Sequence, residues 1–301
     1  MSNNNLVSII IPSYNRAHLI RNTLNSIQKQ TYTNWECIVV DDDSTDNSLK
    51  VLTDYALNDS RFVALQRPIN KVKGANACRN FGLQKARGDY IMFFDSDDLM
   101  APNHLQVKIK ALHSDDYHFV VAQSRYLNNE ELNKTLVNQY QFTTKDITSI
   151  NYIRHKINWL TCDTLITSNL AKQVRFNESL MSGQEYNYFC KILLLSENGI
   201  FLEEVVTLIR YHKASIRGSL RDSRRKTYLG YFFTYWNTYL EVKDKAPKKA
   251  RKFLVYRCFR LLGKLPLKER LFERGIINAI LIEFGAKGLY YLIKLYSKRI
   301  T

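Results

Sequence analysis

Tyr90-Ile91-Met92-Phe93-Phe94-Asp95-Ser96-Asp97-Asp98 is an apolar run of strand length that stops abruptly at three carboxylates. A continuous apolar run of this kind reads as a strand buried on both faces of a parallel sheet. In open α/β sheets, ligands bind just beyond the carboxyl ends of such strands. Acidic side chains gathered there repel one another unless a cation joins them. Hard oxygen donors on a rigid strand end suit Mg²⁺ or Mn²⁺, and such an ion in turn holds phosphates. The same four residues also read as a cap for a helix over Pro102 to Leu112.

The flanking sequence repeats the pattern. Leu6 to Ile11 is an apolar, β-branched run stopped by Pro12, and Trp35 to Val40 is a second strand ending in Asp41-Asp42-Asp43. Phe62 to Leu65 is a third strand, and Tyr90 to Phe94 a fourth. Helical spacing lies between them, carried by Ile20, Leu24 and Ile27, then by Val51, Leu52 and Tyr55, then by Ala75, Cys78, Phe81 and Ala86. Ser44 or Asp46 is placed to cap the second of these helices. Four strand–helix alternations predict a Rossmann-like, mostly parallel sheet with right-handed crossovers. Further on, strands are expected at Tyr117 to Ser124, Thr164 to Thr167 and Val205 to His212. Helices are expected over 102–112, 147–155 and 183–195, and a polar loop over 128–144.

The net charge of +16 is unevenly distributed. From Arg221 onward there are 20 Lys and Arg against six Asp and Glu, so almost all the excess lies in the last quarter. There the texture changes to helix-length segments of aromatic and aliphatic residues interleaved with Lys and Arg, broken near Pro247, Pro266 and Gly285. The five cysteines are scattered and never paired as C-x-x-C, which fits a reducing compartment and small buried side chains. The start has neither a basic n-region nor an apolar h-region, and no run approaches 18 apolar residues.

Four segments together resemble family 2 glycosyltransferases. They are Val7-Ser8-Ile9-Ile10-Ile11-Pro12-Ser13-Tyr14-Asn15-Arg16, Val39-Val40-Asp41-Asp42-Asp43-Ser44-Thr45-Asp46, Gly74-Ala75-Asn76-Ala77-Cys78-Arg79-Asn80-Phe81-Gly82-Leu83, and Phe94-Asp95-Ser96-Asp97-Asp98 followed by Pro102. Asp43 stands where the family usually has Gly. The resemblance implies a GT-A fold over residues 1–219. Residues 1–100 would be the nucleotide-sugar half, 101–219 the acceptor and catalytic half, and 220–301 a basic helical appendage. It also implies that Pro12, Tyr14 and Asn15 line the base and ribose, and that Asp42 accepts from the base, which suits a uracil N–H. Arg79, Asp95 and Ser96 would hold the nucleotide. Asp97, with His212 of His212-Lys213-Ala214-Ser215, would ligate Mn²⁺ or Mg²⁺ at the diphosphate.

The family's base is an Asp on a helix N-terminus. Here Ser182-Gly183-Gln184-Glu185-Tyr186-Asn187 fills that place, so Glu185 is the expected base and Glu178 the runner-up. The implied reaction is inverting transfer from a nucleoside-diphosphate sugar to a hydroxyl of a glycan or lipid-linked glycan. A non-catalytic nucleotide-sugar binder is the alternative, prompted by Glu in place of Asp. A nucleotidyltransferase would carry a Gly-rich loop after the first strand, and Pro12-Ser13-Tyr14-Asn15 is not one. The tail resembles no nucleic-acid module, so no nucleic acid is expected as partner. An anionic membrane surface on the cytoplasmic side is the expected partner of the tail, with a homodimer interface as the competing use.

Overall fold

The computed structural model describes residues 5–127, 140–210, 224–265 and 274–297. The chain packs as two units. The first comprises Met1–Ile147, Ile157–Glu178 and Leu195–Tyr211; the second comprises Thr148–Lys156, Ser179–Leu194 and His212–Thr301.

The first unit is built on one eight-stranded sheet. Its strands are β1 (Val7–Ser13), β2 (Trp35–Asp41), β3 (Phe62–Gln66), β4 (Tyr90–Phe93), β5 (Leu99–Met100), β6 (Phe119–Tyr126), β7 (Thr164–Thr167) and β8 (Gly199–Ile209). They lie in the order β3-β2-β1-β4-β7-β6-β8-β5. The β3-β2-β1-β4 half is parallel throughout, with Ile10 level with both Ile38 and Phe93. Helices α1 (Ile20–Gln28), α2 (Ser48–Asn58) and α3 (Ala75–Lys85) make the crossovers between these strands. Each lays an apolar face on the sheet, as Ile20, Leu24 and Ile27 of α1 do. Val7, Ile9, Ile11, Cys37, Val39 and Met92 are all buried in the resulting core. Gly82 of α3 is there for space: a Cβ on it would sit 2.5 Å from Ile10 Cγ2. This is the GT-A arrangement, a mostly parallel sheet flanked by helices.

Beyond β4 the sheet turns mixed. β7 is antiparallel to β4 and β6, β8 runs parallel to β6, and β5 is antiparallel to β8 at the edge. Helices α4 (His104–Ser114) and α6 (Ser168–Ala171) belong to this part. Helix α4 begins past Asn103, so Asp95–Asp98 are not its cap. The last strand starts at Gly199, six residues ahead of the expected Val205, because it continues through Glu203-Glu204 where the register against β6 shifts.

The second unit is helical. It holds α5 (Ser149–Ile153), α7 (Gln184–Leu195), α8 (Arg224–Val242), α9 (Lys248–Leu262), α10 (Arg274–Phe284) and α11 (Ala286–Ser297). The last four form the basic appendage. Pro247 directly precedes α9, and Gly285, at φ 56°, separates α10 from α11. Pro266 lies outside the described residues. Most of the bulky residues here are core: Phe232, Tyr235, Trp236, Tyr239, Leu254, Cys258, Ile276 and Ile280 are buried. Leu289, Tyr290 and Ile293 of α11 remain exposed. Among the described residues no helix is long and apolar enough to cross a membrane. All five cysteines are buried and free.

Candidate active site

The C-terminal ends of β1 to β4 carry four loops that are knitted together by side chains. Pro12 is buried inside β1, level with Val40 of β2. Tyr14 follows and is exposed, with the Lys73 ammonium 4.1 Å from its ring centre. Asn15 adopts φ 51°, which an Asn tolerates better than most residues. Its backbone N–H donates to Ser44 Oγ at 2.9 Å, and its Oδ1 accepts from the Thr45 N–H at 2.8 Å. The side chain of Asn15 is thus engaged in joining the β1 loop to the β2 loop. Ser44 serves Asn15, whereas Asp46 accepts from the Ser48 N–H at 2.9 Å and the Ala17 N–H at 3.1 Å. Neither candidate is the N-cap of α2, which is Asn47; Asp46 lies one residue ahead of it.

Asp42 is buried, and its carboxylate accepts from Arg67 Nε at 2.5 Å. Arg67 closes β3, where its N–H donates to the Asp41 carbonyl at 2.8 Å. Its guanidinium also donates to the carbonyls of Pro68 and Lys71. Asp43 sits at φ 64°. That left-handed backbone is the physical reason a glycine is at home in this position, and Asp is among the few side chains that accept it.

Gly74, at φ 144°, opens α3. Arg79 on that helix is buried, lies 5.3 Å from the Phe176 ring centre, and donates through Nη2 to Asp95 Oδ1 at 2.8 Å. The next residue, Asn80, receives the Phe176 N–H at 2.9 Å and donates through Nδ2 to the Phe176 carbonyl and to Glu178 Oε1, both at 2.9 Å. Asn76 donates to the Asn177 carbonyl at 2.7 Å. Asn76 and Asn80 therefore clamp the 176–178 segment onto α3, and they fix the Glu178 carboxylate.

At the end of β4, Asp95 keeps a partly exposed side chain, Ser96 is buried, and the Ser96 carbonyl accepts from Thr23 Oγ1 at 3.1 Å. Asp97 faces the Arg16 guanidinium at 3.8 Å. Asp98 is buried and accepts from the Arg210 N–H at 3.0 Å, while Arg210 Nε donates to the Asp97 carbonyl at 3.2 Å. Burial, then the charges of Asp95 and Asp97, hold the Asp98 carboxyl well above the ordinary carboxylate range.

These donors fit a hard divalent cation that is shared with a ligand. Asp95 and Asp97 offer carboxylate oxygens, and Mg²⁺-type sites commonly use one or two carboxylates plus substrate phosphates. Among the described residues no group of three His, Cys, Asp or Glu is arranged to hold a metal ion, so an all-protein cage is not what this end provides. His212 lies outside the described residues.

In the second unit, Glu185 stands in the first turn of α7 and is half-buried. A carboxylate there is favoured by the helix dipole. The turn before it is held tightly. Gly183 has φ 63°, a Cβ on it would lie 2.3 Å from Thr234 Cγ2, and its carbonyl accepts from the Asn187 N–H at 3.0 Å. Thr234 Oγ1 donates to the Ser182 carbonyl at 2.9 Å, and Tyr186 Oη to the Ile153 carbonyl at 2.7 Å.

Sequence reasoning missed Arg16, Arg67, Asn80 and Arg210. It also missed a polar cluster under the carboxylate loop. Lys108 is fully buried and donates to His104 Nε2 at 2.7 Å and to the Cys162 carbonyl at 3.2 Å. His104 Nδ1 donates to the Val206 carbonyl at 2.9 Å. Burial pulls Lys108 down to about 7 and pushes the neighbouring Asp163 up to about 6. A lysine inside a helix gives no sign in sequence that it points inward.

The strand-end loops and the Arg79–Asp95 bridge at the end of β4 sit on a GT-A fold. The chain belongs to glycosyl transferase family 2, which it matches over residues 8–176. It is 41% identical over 128 residues to the UDP-Glc:alpha-D-GlcNAc-diphosphoundecaprenol beta-1,3-glucosyltransferase WfgD of Escherichia coli; the match covers 42% of this chain and 49% of that one. This chain thus spans about half the length of that relative. It is 27% identical over 266 residues to the putative colanic acid biosynthesis glycosyl transferase WcaA of Escherichia coli (strain K12), covering 88% of this chain and 91% of the relative. Among solved structures, S. aureus TarS 1–349 in complex with UDP-GlcNAc superimposes with a TM-score of 0.68 at 20% identity, over 92% of this chain and 80% of that one. That likeness is one of fold.

Proposed function

We propose that the chain transfers a sugar from a UDP-linked donor to a hydroxyl of a lipid-linked glycan in surface-polysaccharide synthesis, with inversion at the anomeric carbon. The observation that carries this reading is the Arg79–Asp95 bridge beside Asp97, at the C-terminal edge of the parallel strands, in a chain of this family. Pro12, Tyr14, Asn15 and Asp42 line the base and ribose, with Asp42 accepting from a uracil N–H. Arg79, Asp95 and Ser96 hold the ribose and the nucleotide end. Residues 1–100 supply the donor half, 101–219 the acceptor half and 220–301 the tail. The relatives support the choice of substrates: WfgD acts with UDP-Glc on a GlcNAc-diphosphoundecaprenol, and WcaA is assigned to colanic acid biosynthesis.

Asp97, with His212, would hold Mn²⁺ or Mg²⁺. When bound, such an ion supplies charge neutralisation for a departing diphosphate. Glu185 takes the proton of the acceptor hydroxyl as that oxygen attacks the anomeric carbon from the face opposite the nucleotide. One displacement breaks the bond to the diphosphate and forms the new glycosidic bond. No covalent enzyme intermediate is involved. Glu178, the runner-up for the base role, accepts from Asn80 Nδ2 through Oε1.

The tail places this chemistry at an anionic membrane surface, where its lysines and arginines meet lipid phosphates. Its support is the charge excess after Arg221 and the exposed Leu289, Tyr290 and Ile293.

The test is transfer from UDP-sugars to lipid-linked acceptor by wild type, Glu185→Gln and Glu178→Gln, with the product anomer read by NMR. The expected result is an inverted product, lost with Glu185→Gln and kept with Glu178→Gln. A retained anomeric configuration, or loss with Glu178→Gln alone, overturns the assignment.

A further inference from the structure

The helical unit contains a cavity of about 250 Å³ lined by Tyr256, Arg257, Arg260, Leu261 and Lys264. It is smaller than the roughly 300–1,000 Å³ typical of sites for drug-sized ligands. Arg257 and Arg260, three residues apart, share a face at the end of α9, and Lys264 follows two residues past its last turn. Cations complement the C-terminal end of a helix dipole, which accounts for basic residues there. It does not account for how they are held. Arg257 donates through Nη2 to Tyr235 Oη at 3.0 Å and lies 5.0 Å from the Tyr235 ring centre. The Lys264 ammonium lies 4.8 Å from the Tyr228 ring centre. Rings and a hydroxyl orient Arg257 and Lys264 without neutralising them. Of the described carboxylates of the helical tail, Glu241 pairs with Lys191 and Glu283 with Arg251. Among the described residues no carboxylate pairs with Arg257, Arg260 or Lys264. Three like charges around one concavity repel each other until an anion enters.

An apolar surface continues from the rim. Tyr256 packs on Tyr291 with ring centres 6.0 Å apart, and Tyr291 stands 6.0 Å from Tyr290. Tyr290, Leu289 and Ile293 form the exposed face of α11. An anion site beside an exposed apolar face matches a ligand with a phosphate head and a hydrocarbon chain. Arg is the side chain best suited to the head, because its planar fork pairs with two phosphate oxygens.

We propose that this cavity binds the phosphate or diphosphate head of a lipid, with the chain lying along Leu289, Tyr290 and Ile293. The site is distinct from the strand-end carboxylates. The proposal rests on the membrane reading of the tail given under the proposed function and deepens it by naming the cavity that takes the headgroup.

The experiment uses the full chain and its Arg260→Glu/Lys264→Glu variant, both substitutions being at exposed positions. Each is sedimented, with EDTA present, with phosphatidylcholine vesicles carrying either phosphatidylglycerol or a polyprenyl diphosphate at matched charge. The wild type is expected to bind both, and the variant to bind at least about tenfold more weakly, since each basic residue near an anionic surface contributes on the order of 1 kcal/mol. Preference for the diphosphate supports a site for the lipid carrier of the acceptor, and equal binding supports a general headgroup site. Binding by the variant equal to wild type overturns the proposal. A second measurement needs no variant: inorganic pyrophosphate should slow acylation of Lys264, read by mass spectrometry, and an unchanged rate overturns the proposal as well. UDP titrated with Mn²⁺ is a separate arm that reports on the donor reading alone.

Discussion

Arg67 donates to the Asp42 carboxylate at 2.5 Å, and both side chains are almost fully buried. The carboxylate proposed to meet the nucleobase is therefore held in one orientation from behind. Arg67 is itself fixed by the carbonyls of Pro68 and Lys71, so the β3 loop sets the position of a β2 residue. Hydrogen bonds to charged groups contribute about 1.5–3 kcal/mol. Arg67→Gln should thus raise the donor KM about tenfold to a hundredfold with a smaller change in kcat. Arg67→Lys should restore little, because a point ammonium does not reproduce the fork. Steady-state kinetics with varied donor checks this, and a kcat loss at constant KM would speak against a positioning role.

Asn80 carries the 176–178 segment through three hydrogen bonds. Asn80→Ala leaves the buried N–H and C=O of Phe176 without that partner. An unsatisfied buried polar group costs about 1–3 kcal/mol. Urea denaturation should show a loss of that size, and a loss below the error of the method would show the clamp to be dispensable.

What the sequence made legible, and what it hid, follows from the range of each interaction. β1 to β4 and their crossover helices were readable because apolar runs and helical spacing are local signals, and the expected strand ends fall within two residues of those observed. β8 was read only from Val205, since Glu203-Glu204 splits its apolar pattern at a register shift. β5 has two residues, too few for any periodicity. Arg79 was recognised through its motif. Arg67 and Arg16 were not, because they meet Asp42 and Asp97 across 25 and 81 residues of chain, and nothing local marks such a pairing. The aromatic tail looked like a surface, yet its large residues mostly face inward, since helical spacing alone does not say which neighbour covers a face.

Lys108 gives a prediction in pH. Its folded value of about 7 lies below the ordinary 10.5. Between these the unfolded chain binds the proton and the folded chain does not, so stability rises with pH across that window. Asp163 has the opposite sign. Its folded value of about 6 exceeds 3.8, so stability rises as pH falls through that range. Lys108→Met should cost on the order of 3 kcal/mol near neutral pH, because a buried carboxylate loses its compensating cation. The deficit should shrink at about pH 5, where Asp163 takes a proton, and the alkaline gain of the wild type should vanish. Denaturant melts across this range check the sign, and a pH-independent deficit would contradict it.

In the proposed function the end of β4 would hold the donor diphosphate through a divalent cation at Asp97. Calorimetric titration of UDP, with Mn²⁺ and with EDTA, into wild type and Asp97→Ala tests it most directly. UDP binding should require Mn²⁺ in the wild type and be lost in Asp97→Ala, with the circular dichroism of the variant unchanged. UDP binding that is equal in Mn²⁺ and EDTA, or metal-dependent affinity retained by Asp97→Ala, would contradict it.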